Sequence, residues 1–283
     1  MAFVTDPSIR QVFCEGQPNS LDVAFLNRVI PIGKAEVIPA GGKYALRAFI
    51  QGRMSSYGSP ESWPDYLAFR DRDFDAEPSE TPGLIRLEGK TPIWLTYRAC
   101  IESYFINSQL LHDYWAESAT GPRWRHGLPP AIESIQVAIL QASHDLADYQ
   151  AVRWALAKLK PGPRWPEIDT KWTERSGDLP PSLAFDDCLA EARKMVDAFA
   201  AQVSGVTTAK LEGTAQDYRL RFTQDDFYSQ SLFLVWFHGK DLLSQLSGHL
   251  PSNFPYRRYA EWAASRVDLS RYSDLQQLAE MCA

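Results

Sequence analysis

The sequence predicts an α/β protein, in which a mostly parallel sheet with flanking helices is followed by a mainly α-helical C-terminal region. Over the first 110 residues, short apolar runs alternate with amphipathic segments, which is typical of a parallel sheet covered on both faces. Beyond them, apolar residues recur in steps of three and four, which indicates helices. We therefore expect a sheet domain in residues 1–115 and a mainly helical region in residues 116–283.

The first half begins with an apolar segment, residues 10–14, that is typical of a buried strand and ends at Glu15-Gly16. A helix with its apolar residues on one side then follows, capped by Asn19 or Ser20. The further elements expected here are a strand at 35–40, a turn at Gly41-Gly42, a short helix at 43–51, a strand at 65–70, short apolar runs at 84–87 and 93–95, and a helix at 99–111.

The second half is dominated by residues 132–159, an amphipathic segment that would form a helix about 40 Å long. A proline-rich segment at 161–181 predicts an ordered loop. Further helices are expected at 183–203 and 226–246, whereas the alternation at 218–222 indicates a strand.

Composition indicates which binding partners and which cellular compartment the protein is suited to. The net charge of −6 is mild, so any nucleic-acid binding would use local patches. The four cysteines are scattered without a C-x-x-C pair, which fits a reducing compartment. No run approaches the roughly 20 apolar residues of a membrane span, and the start does not resemble a signal peptide. We expect a cytoplasmic protein without a membrane segment.

Carboxylates follow two of the predicted strands. Asp71 and Asp73 come after the strand at 65–70, where side chains two apart would converge, and Glu15 ends the first strand. Because parallel strands place their carboxyl ends at one edge, neighbouring strands would bring the three carboxylates together. Oxygen ligands of this kind bind Mg²⁺ or Mn²⁺, as one or two ions. Asp75 is kept out of this group, because capping of the loop would explain it equally well.

Other uses of the acidic segment are weaker. A calcium-binding EF-hand loop starting at Asp71 would need Gly and Glu where the chain has Ala76 and Pro82. A dinucleotide site would need G-x-G-x-x-G, which the turn after the first strand lacks. A phosphatase of the haloacid dehalogenase type stays open, with Asp71 as nucleophile and Asp73 as acid/base.

Several segments together resemble the Toprim domain, which topoisomerases, primases and OLD-type nucleases share. They are Phe13-Cys14-Glu15-Gly16 before a helix, Gly41-Gly42-Lys43 after the second strand, Phe69-Arg70-Asp71-Arg72-Asp73, an Arg-x-x-x-Glu segment from Arg98 to Glu102, and Phe237-His238-Gly239-Lys240. The nearest resemblance is to the stand-alone Toprim effectors of bacterial anti-phage systems such as PARIS.

This resemblance implies a Mg²⁺- or Mn²⁺-dependent nuclease that cleaves DNA or RNA, possible targets including tRNA. Glu15 would bind metal and serve as general base, Asp71 and Asp73 would hold the ion or ions, and Glu102 would serve a second metal. Lys240 would place a positive charge beside the phosphate. OLD-type nucleases often have a second acid four residues after the first Glu, a position that Asn19 occupies here.

The resemblance also implies how the protein contacts other molecules. Lys43 and Arg98 would contact substrate, an ABC-type ATPase would be the partner, and the active form would be a homodimer acting as a defence effector. An ordinary helical salt bridge between Arg98 and Glu102 is the alternative to a site role for these two residues. A non-catalytic Toprim-like binding or sensor subunit is the alternative for the whole chain.

Overall fold

The computed structural model describes residues 9–161, 165–168, 181–251 and 254–283. It contains a five-stranded sheet with the order β2-β1-β3-β5-β4. The strands are β1 (Arg10–Cys14), β2 (Ala35–Pro39), β3 (Tyr66–Arg70), β4 (Ile85–Arg86) and β5 (Ile93–Leu95). The pairs β1/β2, β1/β3 and β3/β5 are parallel, and β4 runs antiparallel to β5. The predicted α/β class with a mostly parallel sheet is confirmed.

Helices cover the sheet and make up the C-terminal region, as predicted. They are α1 (Leu21–Val29), α2 (Leu46–Ser55), α3 (Ser108–Ala119), α4 (Ile132–Leu159), α5 (Phe185–Val203), α6 (Thr208–Phe222), α7 (Asp225–Ser229), α8 (Phe233–Trp236), α9 (Gly239–His249), α10 (Tyr256–Ala264) and α11 (Ser273–Cys282). Short 3-10 helices lie at Pro60–Ser62, Ile101–Phe105 and Leu269–Arg271. No helix in the described ranges is long and apolar enough to cross a bilayer.

Two predicted elements are wrong. The helix expected at 99–111 is a 3-10 helix, Ile101–Phe105, followed by α3, because Asn107 is extended and its side chain accepts a hydrogen bond from the Leu110 amide, which starts a new helix. The strand expected at 218–222 is the end of α6. Its apolar Tyr218 and Phe222 are four apart and both buried, a spacing that places them on one helical face.

The expected helix at 226–246 is divided into α7, α8 and α9. Ser231 adopts a positive φ of 56°, so the helix cannot continue beyond α7. Phe237 and His238 are both extended and separate α8 from α9. The expected loop at 161–181 and the second of two Gly-Pro-Arg-Trp tetrapeptides lie mostly outside the described residues.

The register of the sheet decides which residues meet at its carboxyl edge. In β1 and β3, Val12 pairs with Leu67 and Cys14 with Phe69, so the two strands end side by side. Phe13 and Ala68 are fully buried and pack in a core cluster with α2. Glu15 and Asp71, which follow these strands, are therefore held at the same edge by a rigid, buried support.

The chain divides into two compact units, Met1–Leu146 with Asp225–Ala283, and Ala147–Gln224. In the first unit the C-terminal segment packs on the sheet domain: the buried Arg72 guanidinium donates to the Val235 carbonyl at 2.6 Å, and the Asp274 carboxylate accepts from the Tyr97 amide at 2.9 Å. Within the second unit, Trp154 packs on Tyr218 with ring centroids 5.6 Å apart. The predicted domain boundary at residue 115 stays a prediction.

Candidate functional site

The candidate site lies at the carboxyl ends of β1 and β3. The Glu15-Gly16 turn brings the chain back toward Gly41 through a backbone bridge. Gly16 has a φ of 98°, and a Cβ there would stand 2.2 Å from Ser20 Oγ. Only glycine fits this turn, which places Glu15 beside the first turn of α1.

Asp71 is almost completely buried, with 8% of its surface exposed. One of its carboxylate oxygens accepts a hydrogen bond from the Ile101 amide at 2.9 Å. Ligand atoms of Asp71, Cys100 and Glu102 all lie within 4.8 Å of one another. Burial is the main cause that raises the pKa of Asp71 well above its ordinary value, and the neighbouring ionisable groups Cys100 and Glu102 add to the rise. An added cation would reverse this effect.

Asp73 has different partners from Asp71. The strand ends at Arg70 and Asp73 has a φ of 50°, so the two-residue spacing of a strand no longer aligns the two carboxylates. Asp73 is 3.0 Å from Lys43 Nζ and 3.3 Å from His238 Nε2. Burial alone would raise the pKa of Asp73, but the His238 hydrogen bond and the Lys43 charge together hold it well below its ordinary value. Asp73 is therefore a charged, fully engaged carboxylate.

Glu15 faces Arg70 at the same edge. Arg70 Nη1 lies 3.7 Å from Glu15 Oε1 and 2.6 Å from Asp75, which also pairs with Lys43 at 2.6 Å. Within the described ranges, Glu15 Oε1 is buried and has no hydrogen-bond partner. Burial raises the pKa of Glu15 to about 7, against the lowering effect of Arg70 and with a further rise from Asp73. Asp75 therefore forms ion pairs with both Lys43 and Arg70.

Glu102 and Lys240 meet although 138 positions separate them. Lys240 Nζ lies 3.5 Å from Glu102 Oε1. The other oxygen, Glu102 Oε2, is buried and has no hydrogen-bond partner among the described residues. Burial would lower the pKa of Lys240, but Glu102 and Asp71 raise it above its ordinary value, so it stays charged. Glu102 Oε2 is thus a buried carboxylate oxygen without a hydrogen bond in the described ranges, and Glu15 Oε1 is another, apart from its longer ion pair with Arg70.

Arg98 contacts the backbone and two tyrosine rings, and among the described residues it forms no ion pair with a carboxylate of the site. Its guanidinium donates to the Ser103 carbonyl at 2.6 Å and lies over the rings of Tyr104 and Tyr272, 5.4 and 5.0 Å from their centroids. Residues 98–100 are not helical, so the i, i+4 salt bridge with Glu102 considered as an alternative is wrong. The structure does not bring Arg98 together with the other predicted site residues, whereas it does bring Lys43.

Sequence reasoning missed Cys100, His238 and Asp22. His238 Nδ1 lies 3.7 Å from Cys100 Sγ, and its ring stacks on Phe74 at 6.1 Å. Burial, and to a smaller extent Glu102, raise the pKa of Asp22. The position of His238 directly before Gly239-Lys240 was a usable signal; nothing in the local sequence pointed to Asp22.

Cys100, His238 and Asp73 follow one another as the nucleophile, base and acid of a cysteine hydrolase would. The electrostatics of the thiol oppose this use. Burial and the adjacent Glu102 raise the pKa of the Cys100 thiol far above its ordinary value, so the nucleophilic thiolate is disfavoured.

The charges of the site instead favour bound cations. Its carboxylates are Glu15, Asp22, Asp71, Asp73, Asp75 and Glu102. The nearby fixed cations are Lys43, Arg70 and Lys240. Excess carboxylates in a buried site need protons or divalent cations, and carboxylate oxygens are ligands that Mg²⁺ and Mn²⁺ accept. The donor set fits such an ion.

Comparison with known proteins adds no assignment. No protein-family model, no curated protein and no solved structure matches the chain. Any function must therefore be argued from the chemistry of the site.

Proposed function

We propose that this protein is a metal-dependent nuclease of the Toprim type, hydrolysing phosphodiester bonds of RNA or DNA. One observation carries the proposal: Asp71 and Glu102 each contribute a carboxylate oxygen to one compact group, and the buried Glu102 Oε2 has no hydrogen-bond partner among the described residues. A buried carboxylate oxygen without a partner is costly. A Mg²⁺ or Mn²⁺ ion held by Asp71 and Glu102 would give this oxygen a partner.

Each side chain has a role in this mechanism. Asp71 and Glu102 would hold the ion, Glu15 and Asp73 stay predicted as further ligands, and the ion when bound would supply a Lewis acid for phosphodiester hydrolysis. Glu15, with its pKa of about 7, can accept a proton from the attacking water at neutral pH. Lys240 stays charged beside Glu102 and would stabilise the charge that develops as the bond breaks.

Lys43 supports the site from the other side. It bridges Asp73 and Asp75 at 3.0 and 2.6 Å, so its first effect is to hold the loop after β3 in place. A phosphate entering the site would compete for this ammonium group. We retain Lys43 as a substrate contact and assign Arg98 a structural role instead. The ATPase partner, the homodimer and the defence role depend on the resemblance alone and stay predictions.

Cleavage by the purified protein tests the proposal. With Mn²⁺ or Mg²⁺, labelled RNA, single-stranded DNA and duplex DNA should be assayed, and Glu15→Gln and Asp71→Asn should abolish cleavage. Glu133→Gln and Asp197→Asn, which alter exposed carboxylates on α4 and α5, are matched controls and should keep it. Cleavage that persists in both site variants would overturn the proposal.

Two further measurements separate the alternatives. Calorimetric titration with Mn²⁺ should show binding to the wild type and a large loss in Asp71→Asn, even if the isolated protein needs a partner for turnover. A trapped aspartyl-phosphate after reaction with a small phosphomonoester would favour the phosphatase. Two observations oppose the phosphatase: the pKa of Asp71 is raised, which favours its neutral form, and one of its oxygens accepts a hydrogen bond from the Ile101 amide. Both make Asp71 a poorer nucleophile.

A further inference from the structure

A cysteine occupies the centre of the most compact ligand group. The Sγ of Cys100 and one carboxylate oxygen each from Asp71 and Glu102 lie within 4.8 Å of one another. Metal–ligand bonds of about 2.0–2.3 Å place two ligands of one ion at most roughly 4.6 Å apart. The group is therefore near the size that a single ion requires. A thiol stands where an all-oxygen site would have another oxygen.

One backbone amide close to Cys100 donates a hydrogen bond to its sulfur. The Gly239 amide, at the start of α9, donates a hydrogen bond to Cys100 Sγ at 3.2 Å. A Cβ on Gly239 would stand 2.3 Å from the Ser103 amide nitrogen, so only glycine permits this approach. An amide donor at the N-terminus of an 11-residue helix stabilises a thiolate.

Glu102 gives an independent indication of a ligand. Its side chain is only 12% exposed, and its Oε1 is 3.5 Å from Lys240 Nζ. The second oxygen, Oε2, is wholly buried and accepts no hydrogen bond from any residue in the described ranges. Lys240 therefore leaves one carboxylate oxygen available. Glu102 also contributes one carboxylate oxygen to the group that contains Cys100 Sγ and Asp71.

We infer that Asp71, Cys100 and Glu102 form a mixed oxygen and sulfur site that selects a borderline divalent ion, of the class of Mn²⁺, Fe²⁺, Co²⁺ or Zn²⁺, over Mg²⁺. Magnesium takes oxygen ligands, whereas thiolates favour softer ions. On binding, the Cys100 thiol releases its proton to solvent and the sulfur bonds to the metal, with no change of oxidation state. The inference rests on the proposed function because both use one metal centre. It restricts the metal of that centre to borderline ions.

Cobalt provides a direct readout of sulfur ligation. CoCl₂ titrated into the metal-free full-length protein should produce a near-ultraviolet thiolate-to-cobalt charge-transfer band, which oxygen ligands do not give. Cys100→Ser should lose the band. Because removal of an outer-shell partner already costs about tenfold in affinity, loss of the sulfur should weaken Co²⁺ binding at least tenfold. Mg²⁺ affinity should change little. Cys188→Ser, which alters the half-buried cysteine of α5, is the matched control and should keep the band.

The outcomes separate this inference from the proposed function. A band in the wild type and in Cys188→Ser supports sulfur ligation even if Cys100→Ser fails to fold. Glu102→Gln, which retains the sulfur, should then weaken Co²⁺ binding while keeping the band at saturation. A charge-transfer band without nucleic-acid cleavage under any ion would overturn the nuclease but keep the mixed site. Wild-type protein that binds Co²⁺ without the band, or that prefers Mg²⁺, would overturn the inference.

Discussion

Carboxylates that follow neighbouring strands have pKa values shifted in opposite directions. Burial dominates for Glu15 and Asp71 and raises both values. At Asp73, His238 and Lys43 overcome burial and lower the value. Such divergence is typical of sites where one group exchanges protons and another carries fixed charge. Residue type and spacing alone do not distinguish these roles.

Glu15 leads to a prediction about pH. Burial raises its pKa from 4.5 to about 7, so between these pH values the folded chain keeps a proton that the unfolded chain has lost. The free energy of unfolding of the metal-free protein should therefore fall as pH rises from about 4.5 to 7 and then level off. Asp71 acts in the same direction, and Asp73 acts only at lower pH because its pKa is lowered.

Urea unfolding at pH 5 and pH 7.5 checks this prediction. Glu15→Gln, which is neutral at both pH values, should show a smaller difference than the wild type. Saturating Mn²⁺ should also reduce the difference, because the ion favours the charged carboxylate. Stability that is unchanged or higher at pH 7.5 in the metal-free wild type would contradict the assigned pKa direction.

At the scale of elements, the site depends on the contact between α9 and the 3-10 helix Ile101–Phe105. The start of α9 lies so close that a Cβ on Gly239 would approach Ser103 Oγ to 2.7 Å. This contact brings the Gly239 amide to Cys100 and Lys240 to Glu102. The two elements thus form one half of the site only because glycine starts α9.

Gly239→Ala should destabilise the protein by about 3 kcal/mol, because backbone of the 3-10 helix would have to move and overpacking of this kind costs up to that amount. Gly248 is the matched control in the same helix. It is exposed, and a Cβ there would meet nothing within 4 Å. Gly248→Ala should be neutral or stabilising by up to about 1 kcal/mol. Denaturant midpoints measure both variants, and equal midpoints would contradict the packing argument.

At the scale of the whole molecule, the C-terminal segment completes the sheet domain. The buried Arg72 guanidinium donates to the carbonyls of Tyr97, Ala76 and Val235 at 3.2, 2.6 and 2.6 Å. Asp274 accepts from the Tyr97 amide and from the Tyr104 hydroxyl. Removing the segment would leave buried donors near the site without acceptors, at a cost of about 1–3 kcal/mol each.

A chain truncated after Leu146 should therefore fail to fold cooperatively. It would retain all strands but lose residues 225–283, which belong to the same compact unit. Circular dichroism during thermal unfolding, with full-length protein as the control, measures this. A sharp transition and Mn²⁺ binding by the truncated chain would contradict the prediction and show that the sheet domain is autonomous.

The amino-acid sequence determined the features that local rules control. The strands β1 and β3 and the Ser20 cap of α1 are encoded by apolar runs, turn residues and capping side chains within a few positions. The alternation of strands and helices predicted a parallel sheet, in which Glu15 and Asp71 share an edge if their strands are neighbours; the strand order that makes β1 and β3 neighbours comes from the structure.

Only the tertiary structure decided which side chains share the site. Asp71 and Asp73 have different partners because Asp73 adopts a left-handed backbone conformation. Arg98 lies over two aromatic rings and away from the other site residues. Cys100 meets His238 because a helix far along the chain packs beside it. The periodicity at 218–222 suited a strand until burial showed a helical face. Local patterns set propensity, whereas contacts between distant segments set charge, burial and ligand geometry, because these arise only when the chain is packed.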